Sequence, residues 1–226
     1  VEIARGHAAR LSAAAGAAAE VRRCLARAIA EGREEIWIYR KAAELLLSDL
    51  QDPAAARAAL DAASAAFAAS PDVRPYLYVL LAGGYQETLQ DPAAARRCLE
   101  AARARARSAD DLCAVAGGYG KLLGEVDTGR ALLREAEASA AAVDPATGRA
   151  DTRALWTIAN TYENPFGDDE AVLRVLAEGA ARAETLHLCV TMACAAAGHG
   201  EEIAAARPLV RQALARGESL ASGAAD

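Results

Sequence analysis

The chain has 226 residues, a formal net charge of −6 at pH 7 and an aromatic content of only 4%. An acidic chain argues against nucleic acid as a partner, because affinity for phosphate backbones depends on clustered lysine and arginine. No apolar run approaches the length that crosses a bilayer and no signal-peptide pattern is present, so we expect a cytoplasmic protein of bacterial type with no membrane partner.

A short pattern returns six times along the chain and indicates helices arranged in pairs. Each copy has a small residue three positions before an anchor residue, then a turn, then a leucine-centred segment. The anchors are Leu11, Leu46, Tyr85, Tyr119, Tyr162 and Ala193. The later apolar residues are Leu25, Leu60, Leu99, Leu133 and Leu176, each fourteen residues after its anchor, and Val210, seventeen after the last. A period of roughly thirty to forty residues predicts an all-α solenoid of stacked helical pairs.

The repeat is unbroken, so the chain is interpreted as a single domain, 1–226, with right-handed coiling. The approximate bounds of the six helical pairs are 1–32, 33–70, 71–107, 108–143, 150–183 and 184–220. Turn-forming residues at Val143–Arg149 lengthen the spacing before the fifth pair and predict a loop there.

The first helix of each pair is expected to end five residues past its anchor. Glycine stands there as Gly16, Gly124, Gly167 and Gly198, and glutamine as Gln51 and Gln90. This placement predicts a left-handed helix cap. Asp52-Pro53 and Asp91-Pro92 come next, and they predict the start of a second helix, because Asp is a good N-cap and Pro fits the first turn.

Three short segments carry a resemblance to a known family. They are Ala82-Gly83-Gly84-Tyr85, Ala116-Gly117-Gly118-Tyr119 and Ala159-Asn160-Thr161-Tyr162. With them, nearly the whole chain resembles the tetratricopeptide repeat family, whose units are antiparallel helix pairs. The turn between the helices is one residue longer than the family norm and the anchor spacing is uneven, which indicates a divergent member or a related helical-hairpin solenoid.

The resemblance implies a concave groove, lined by the first helix of each pair, that binds a peptide or protein partner. Carried over by register, the groove positions are Trp37, Arg40, Glu44, Tyr76, Gly83, Gln86, Gly117, Arg153, Trp156, Asn160, Glu163 and His187. Aromatic and arginine side chains often dominate binding surfaces, which favours the three aromatic and two arginine residues of this set. The alternative for the aromatic residues is that they cover joints between repeats.

Glycine inside a helix costs about 1 kcal/mol relative to alanine, so the paired glycines need a reason. Close helix crossing is one reason. Space for a ligand at Gly83 and Gly117 is the other.

No catalytic, cofactor-binding or zinc-type motif is present, so no catalytic residue, cofactor or metal is assigned. The leading hypothesis is therefore a non-catalytic interaction scaffold. An alternative from another class is an enzyme or small-molecule-binding protein with a pocket around Cys113, Trp156 and His187, which occupy equivalent places in three successive repeats. Homo-oligomer formation through the terminal repeats is a third hypothesis, because repeat arrays need polar caps to stay monomeric.

Overall fold

The computed structural model describes residues 36–48, 50–142, 151–183, 185–200 and 206–223, together with Ala19, Arg23 and Arg27. All secondary structure within these residues is helical, which confirms the predicted all-α class. Most of the first predicted pair, 1–32, and the predicted loop at 143–149 lie outside the described residues. None of the described helices combines the length and apolar character that crossing a bilayer requires.

The described helices follow one another with short connections. They are α1 (Ile36–Ser48), α2 (Pro53–Ala69), α3 (Pro75–Gly83), α4 (Pro92–Arg105), α5 (Ala109–Leu123), α6 (Val126–Ala141), α7 (Thr152–Glu163), α8 (Asp169–Arg182), α9 (Leu186–Gly200) and α10 (Ala206–Gly223). A π-helical turn, Gly84–Thr88, continues α3 directly. Each predicted segment from 33–70 to 184–220 therefore holds two helices, the last of which runs on to Gly223.

The chain divides into two compact units, residues 1–102 and 103–226, with the boundary inside α4. In the first unit, α1 packs against α2, and α3 with its π-helical turn contacts both. In the second unit, α5 pairs with α6, α7 with α8, and α9 with α10. Helix α7 also contacts α5 and α6, while α8 contacts both α9 and α10, so each pair is packed on the next.

The predicted anchors and leucines form the core of the described residues. The buried anchors are Leu46, Tyr85, Tyr119 and Tyr162, and the buried second-helix leucines are Leu60, Leu99, Leu133 and Leu176. Fully burying one such leucine stabilises the folded state by roughly 1.5–3 kcal/mol. The fixed spacing of fourteen residues thus places one core residue on each helix of a pair.

Two anchor tyrosines bind carboxylates on the second helix of the preceding pair. The hydroxyl of Tyr85 donates to Asp61 at 2.6 Å, and that of Tyr162 donates to Glu137 at 2.7 Å. Burial and these hydrogen bonds raise the pKa of both tyrosines. The aromatic anchors therefore join neighbouring pairs by a polar contact as well as by packing.

The predicted left-handed helix ends are confirmed at four positions. The angle φ is +50° at Gln51, +51° at Gln90, +67° at Gly124 and +56° at Gly167. At each site the residue after the left-handed position donates its backbone N–H to the anchor carbonyl six residues earlier, which satisfies one of the free carbonyls at the helix end. The pairs are Asp52–Leu46, Asp91–Tyr85, Glu125–Tyr119 and Asp168–Tyr162, with N···O distances from 2.8 to 3.1 Å.

The predicted N-caps are also confirmed. The side chains of Asp52 and Asp91 accept the N–H of the residue three positions later, at 3.0 and 2.9 Å. Arg57 pairs with Asp91 at 2.7 Å. The N–H of Ala94 and then the Arg57 guanidinium hold the pKa of Asp91 below its ordinary value.

The same arrangement recurs in the second unit. Asp168 caps α8 and accepts a hydrogen bond from the N–H of Ala171. Arg130 pairs with Asp168 at 3.1 Å. Arg130 stands three residues before its core leucine, just as Arg57 does in the first unit, so this ion pair is a repeated feature of the register.

The register predicted for the last pair is wrong by three residues. Val190, predicted to be the small buried residue, is 46% exposed, whereas Met192, Ala193 and Ala196 are buried. With Ala196 as the anchor, Val210 follows by fourteen residues, as in every other pair. Gly198 accordingly does not form a left-handed cap, because it lies within α9, which continues to Gly200.

Candidate partner-binding surface

The first unit carries two exposed aromatic side chains at equivalent places. Trp37 on α1 is 64% exposed and Tyr76 on α3 is 51% exposed. Each stands nine residues before its anchor, near the start of a first helix. On α1, Arg40 and Glu44 follow Trp37 at intervals of three and four residues, so the three side chains share one helix face.

Arg40 connects this face to the π-helical turn. Its Nη2 lies 2.7 Å from Oε2 of Glu87. Its guanidinium lies beside Gly83, where Nη1 is 3.7 Å from the position that a β-carbon on Gly83 would take. The sequence-predicted residues Arg40 and Gly83 are therefore neighbours in the structure.

The two adjacent glycines have different roles. A β-carbon on Gly84 would lie 3.1 Å from the Leu60 side chain and 3.2 Å from Cγ of Arg40, so Gly84 permits close packing. Around Gly83 every neighbouring atom is at an ordinary contact distance. Close packing between helices thus explains the glycine at Gly84, whereas Gly83 lies beside the Arg40 guanidinium at an ordinary contact distance.

A pocket of about 260 Å³ opens beside this ion pair. Its lining residues are Arg40, Glu44, Leu47, Ser48, Glu87 and Thr88. Two of them, Arg40 and Glu44, are residues that the sequence predicted for the groove. We call the six residues, together with Trp37, Tyr76 and Gly83, the first-unit groove.

Glu87 is a groove residue that the sequence register missed. The register selected Gln86, which is half-buried, and its Oε1 has no hydrogen-bond partner among the described residues. A π-turn closes between residues five apart, not four, which rotates the following side chains. The groove-facing position consequently moves from Gln86 to Glu87. No sequence pattern in this segment predicts the π-helical turn.

In the second unit, four predicted residues lie along one face of α7. Arg153, Asn160 and Glu163 are exposed, and Trp156 is half-buried. Their spacing of three, four and three residues places them on a common stripe. Gly117 on α5 is half-buried, and among the described residues the Thr161 methyl group is the one neighbour, 3.9 Å from a hypothetical β-carbon. Close helix crossing therefore does not account for Gly117, which leaves space, the second of the two reasons given above.

The corrected register separates His187 from the other members of the alternative pocket. Counted from Ala196, His187 stands nine residues before its anchor, whereas Cys113 and Trp156 stand six before theirs. His187 is exposed on α9. The three positions are therefore not equivalent, and the argument for a pocket around them no longer holds.

Cys113 itself is buried, and burial raises the pKa of its thiol to about 12, although a hydrogen bond with Thr161 acts in the opposite direction. At neutral pH this side chain is a thiol, and the thiol form is a poor nucleophile and metal ligand. Within the described residues, no three His, Cys, Asp or Glu side chains are grouped as a metal site would require.

Comparisons with known proteins found no relative of this chain. No protein-family model matches the chain, and neither a curated protein nor a solved structure is significantly similar to it.

Proposed function

We propose that this protein is a non-catalytic interaction scaffold, a tetratricopeptide-like, right-handed solenoid of about six helical pairs that binds a peptide or protein segment. Support for the repeated architecture comes from the left-handed helix ends and the fourteen-residue spacing, which recur in both units. Support for binding comes from the first-unit groove and, separately in the second unit, from the stripe of four residues on α7.

The observation that carries the proposal is the pair of exposed aromatic residues at equivalent places in the first unit. Trp37 and Tyr76 each leave more than half of their surface in solvent, and Trp37 stands one helical turn before Arg40, which lines the pocket. Aromatic side chains are enriched at binding hot spots, because they bury a large area at little entropic cost. The alternative, that these two residues cover joints between repeats, is disfavoured by their exposure.

Selection from a phage-displayed library of random peptides tests the proposal. The wild-type protein and a Trp37→Ala/Tyr76→Ala variant are immobilised in parallel, with Leu214→Ala as a matched control. Leu214 is also a large apolar residue, 52% exposed, but it lies on α10 in the second unit. Helicity measured by circular dichroism confirms that each variant is folded.

We expect to select peptides that bind the wild type and Leu214→Ala equally well. Their affinity for the double variant should be at least about tenfold lower, because the loss of one hot-spot residue or more has an effect of that size. Equal binding to all three proteins would overturn the assignment of the groove. Absence of any selected peptide would overturn peptide recognition itself. Self-association through the terminal pairs stays a prediction, and sedimentation of the same samples measures it.

A further inference from the structure

The carboxylates are the most accessible charged groups in the first-unit groove. The side chains of Glu44 and Glu87 are 58% and 57% exposed, whereas that of Arg40 is 34% exposed. Both carboxylates line the pocket, and among the described lining residues Arg40 is the one cation. Lys41, which pairs with Glu44 from outside the lining, is a second cation close by, so the pocket offers a ligand two carboxylates that are each held by an exposed or partly exposed ion pair.

Arg40 is held in place by contacts on both ends of its side chain. Its Cγ lies against Gly84, its guanidinium lies beside Gly83, and Nη2 bonds Glu87 at 2.7 Å. An anionic ligand at this guanidinium would lie next to the Glu87 carboxylate, which repels it. A cationic ligand has no such obstacle, because a carboxylate offers about four acceptor sites and the Arg40 bond uses one oxygen of Glu87.

Within the described residues, the second carboxylate is held by a local pair. Glu44 bonds Lys41 at 2.8 Å, one turn away on the same helix, and both side chains are more than half exposed. Exposed pairs of this kind contribute little free energy, so an incoming ammonium or guanidinium group can replace Lys41. Glu44 is thus available to a ligand.

We propose that the pocket receives a lysine or arginine side chain of the bound peptide, which places its cation between Glu44 and Glu87 while the peptide lies against Trp37 and Tyr76. This inference rests on the proposed function and specifies its partner as a basic peptide segment. Arg40, which also lines the pocket, offsets part of the negative charge of the two carboxylates.

Positional hexapeptide libraries test the charge preference directly. Four fluorescein-labelled pools have Arg, Lys, Glu or Ala fixed at one central position and mixed residues elsewhere, and binding is measured by fluorescence polarisation. We expect the Arg and Lys pools to bind about tenfold more tightly than the Glu pool, since a charge-assisted hydrogen bond contributes an effect of that order. Added salt should reduce this preference.

Two variants should differ in their effect if the inference is right. Glu44→Gln, nearly isosteric, should reduce the preference for Arg and Lys to about twofold or less, as expected when a charged acceptor becomes neutral. Arg40→Met keeps an apolar stem and frees Glu87, so it should maintain or increase the affinity for the basic pools. Glu135→Gln, the same change at an exposed pair in the second unit, serves as the control.

The outcomes distinguish this inference from the proposed function. Tight binding that depends on Trp37 and Tyr76 but shows no preference for Arg or Lys would overturn the inference and leave the function standing. A preference for the Glu pool that disappears in Arg40→Met would show that an acidic partner binds Arg40. Failure of all pools to bind would overturn the function and the inference together.

Discussion

Arg174 holds both carboxylate oxygens of Glu137, with N···O distances of 2.6 and 2.9 Å. Burial opposes ionisation of Glu137, but the hydrogen bonds from Arg174 and Tyr162 outweigh it and lower the pKa of the carboxyl. The ionised carboxylate therefore stabilises the fold above the pKa of the unfolded chain. That contribution is lost as the pH falls through the lower pKa of the folded state.

The first prediction concerns Glu137→Gln. At neutral pH the change should reduce the free energy of unfolding, measured with urea, by roughly 1 kcal/mol, because the two hydrogen bonds from Arg174 and the one from Tyr162 lose their charged acceptor. The deficit should shrink as the pH falls below the ordinary value of 4.5. Glu135→Gln on the same helix is the control, since its pair with Arg103 is half exposed and such pairs contribute little. A deficit that stayed constant at strongly acidic pH would refute the electrostatic explanation.

The second prediction contrasts two glycines in the second unit. A β-carbon on Gly129 would overlap the ring of Phe166 and would lie 3.0 Å from the carbonyl oxygen of Ala116. Gly129→Ala should therefore reduce the free energy of unfolding by about 1–3 kcal/mol, the usual cost of overpacking. Gly117 has open space where a β-carbon would lie, so Gly117→Ala should be neutral or should stabilise the fold by up to about 1 kcal/mol. Equal losses in the two variants would contradict the packing described here.

The third prediction tests the helix caps. Gln90 adopts a left-handed φ of +51°, which a side chain disfavours and glycine tolerates. Gln90→Gly should raise the free energy of unfolding by up to about 1 kcal/mol. Gln212→Gly, inside α10, should lower it by about the same amount, because glycine is a poor helix former. If both changes were destabilising, the cap at Gln90 would not have the proposed geometry.

Recurring capping residues and a constant spacing made most helix boundaries and core positions predictable. Aspartate after a left-handed position marked helix boundaries at Asp52 and Asp91, and constant spacing identified the core leucines. The last pair was misaligned because the segment around Ala193 consists mainly of small residues, which give little contrast between buried and exposed positions. Ala193 and Ala196 are both buried, so only the exposure of Val190 reveals the correct register.

The candidate site was predictable in part. Trp37, Arg40 and Glu44 follow from the spacing along one helix, but the Arg40–Glu87 pair joins residues 47 apart in sequence. Its formation depends on how α1 meets the π-helical turn, and helical periodicity carries no information on that. The same turn moved the groove position from Gln86 to Glu87.

The fourth prediction concerns the thiols and the enzymatic alternative. Cys194 is exposed, whereas burial raises the pKa of Cys98 and Cys113 to about 12. Iodoacetamide should modify Cys194 in the folded protein at least about tenfold faster than Cys98 or Cys113, because the thiolate is the reactive form. Mass spectrometry of tryptic peptides measures each site, and labelling in urea is the control. Rapid modification of Cys113 in the folded protein would favour the enzymatic alternative.

The most direct test of peptide recognition at the first-unit groove is the fluorescence of Trp37. The chain has two tryptophans, so Trp156→Phe leaves Trp37 as the single reporter. Titration with a selected basic peptide that lacks tryptophan should shift the Trp37 emission to shorter wavelength and saturate with the Kd measured by calorimetry. Binding detected by calorimetry without any change in Trp37 emission would contradict the account, because the peptide would then lie elsewhere on the protein.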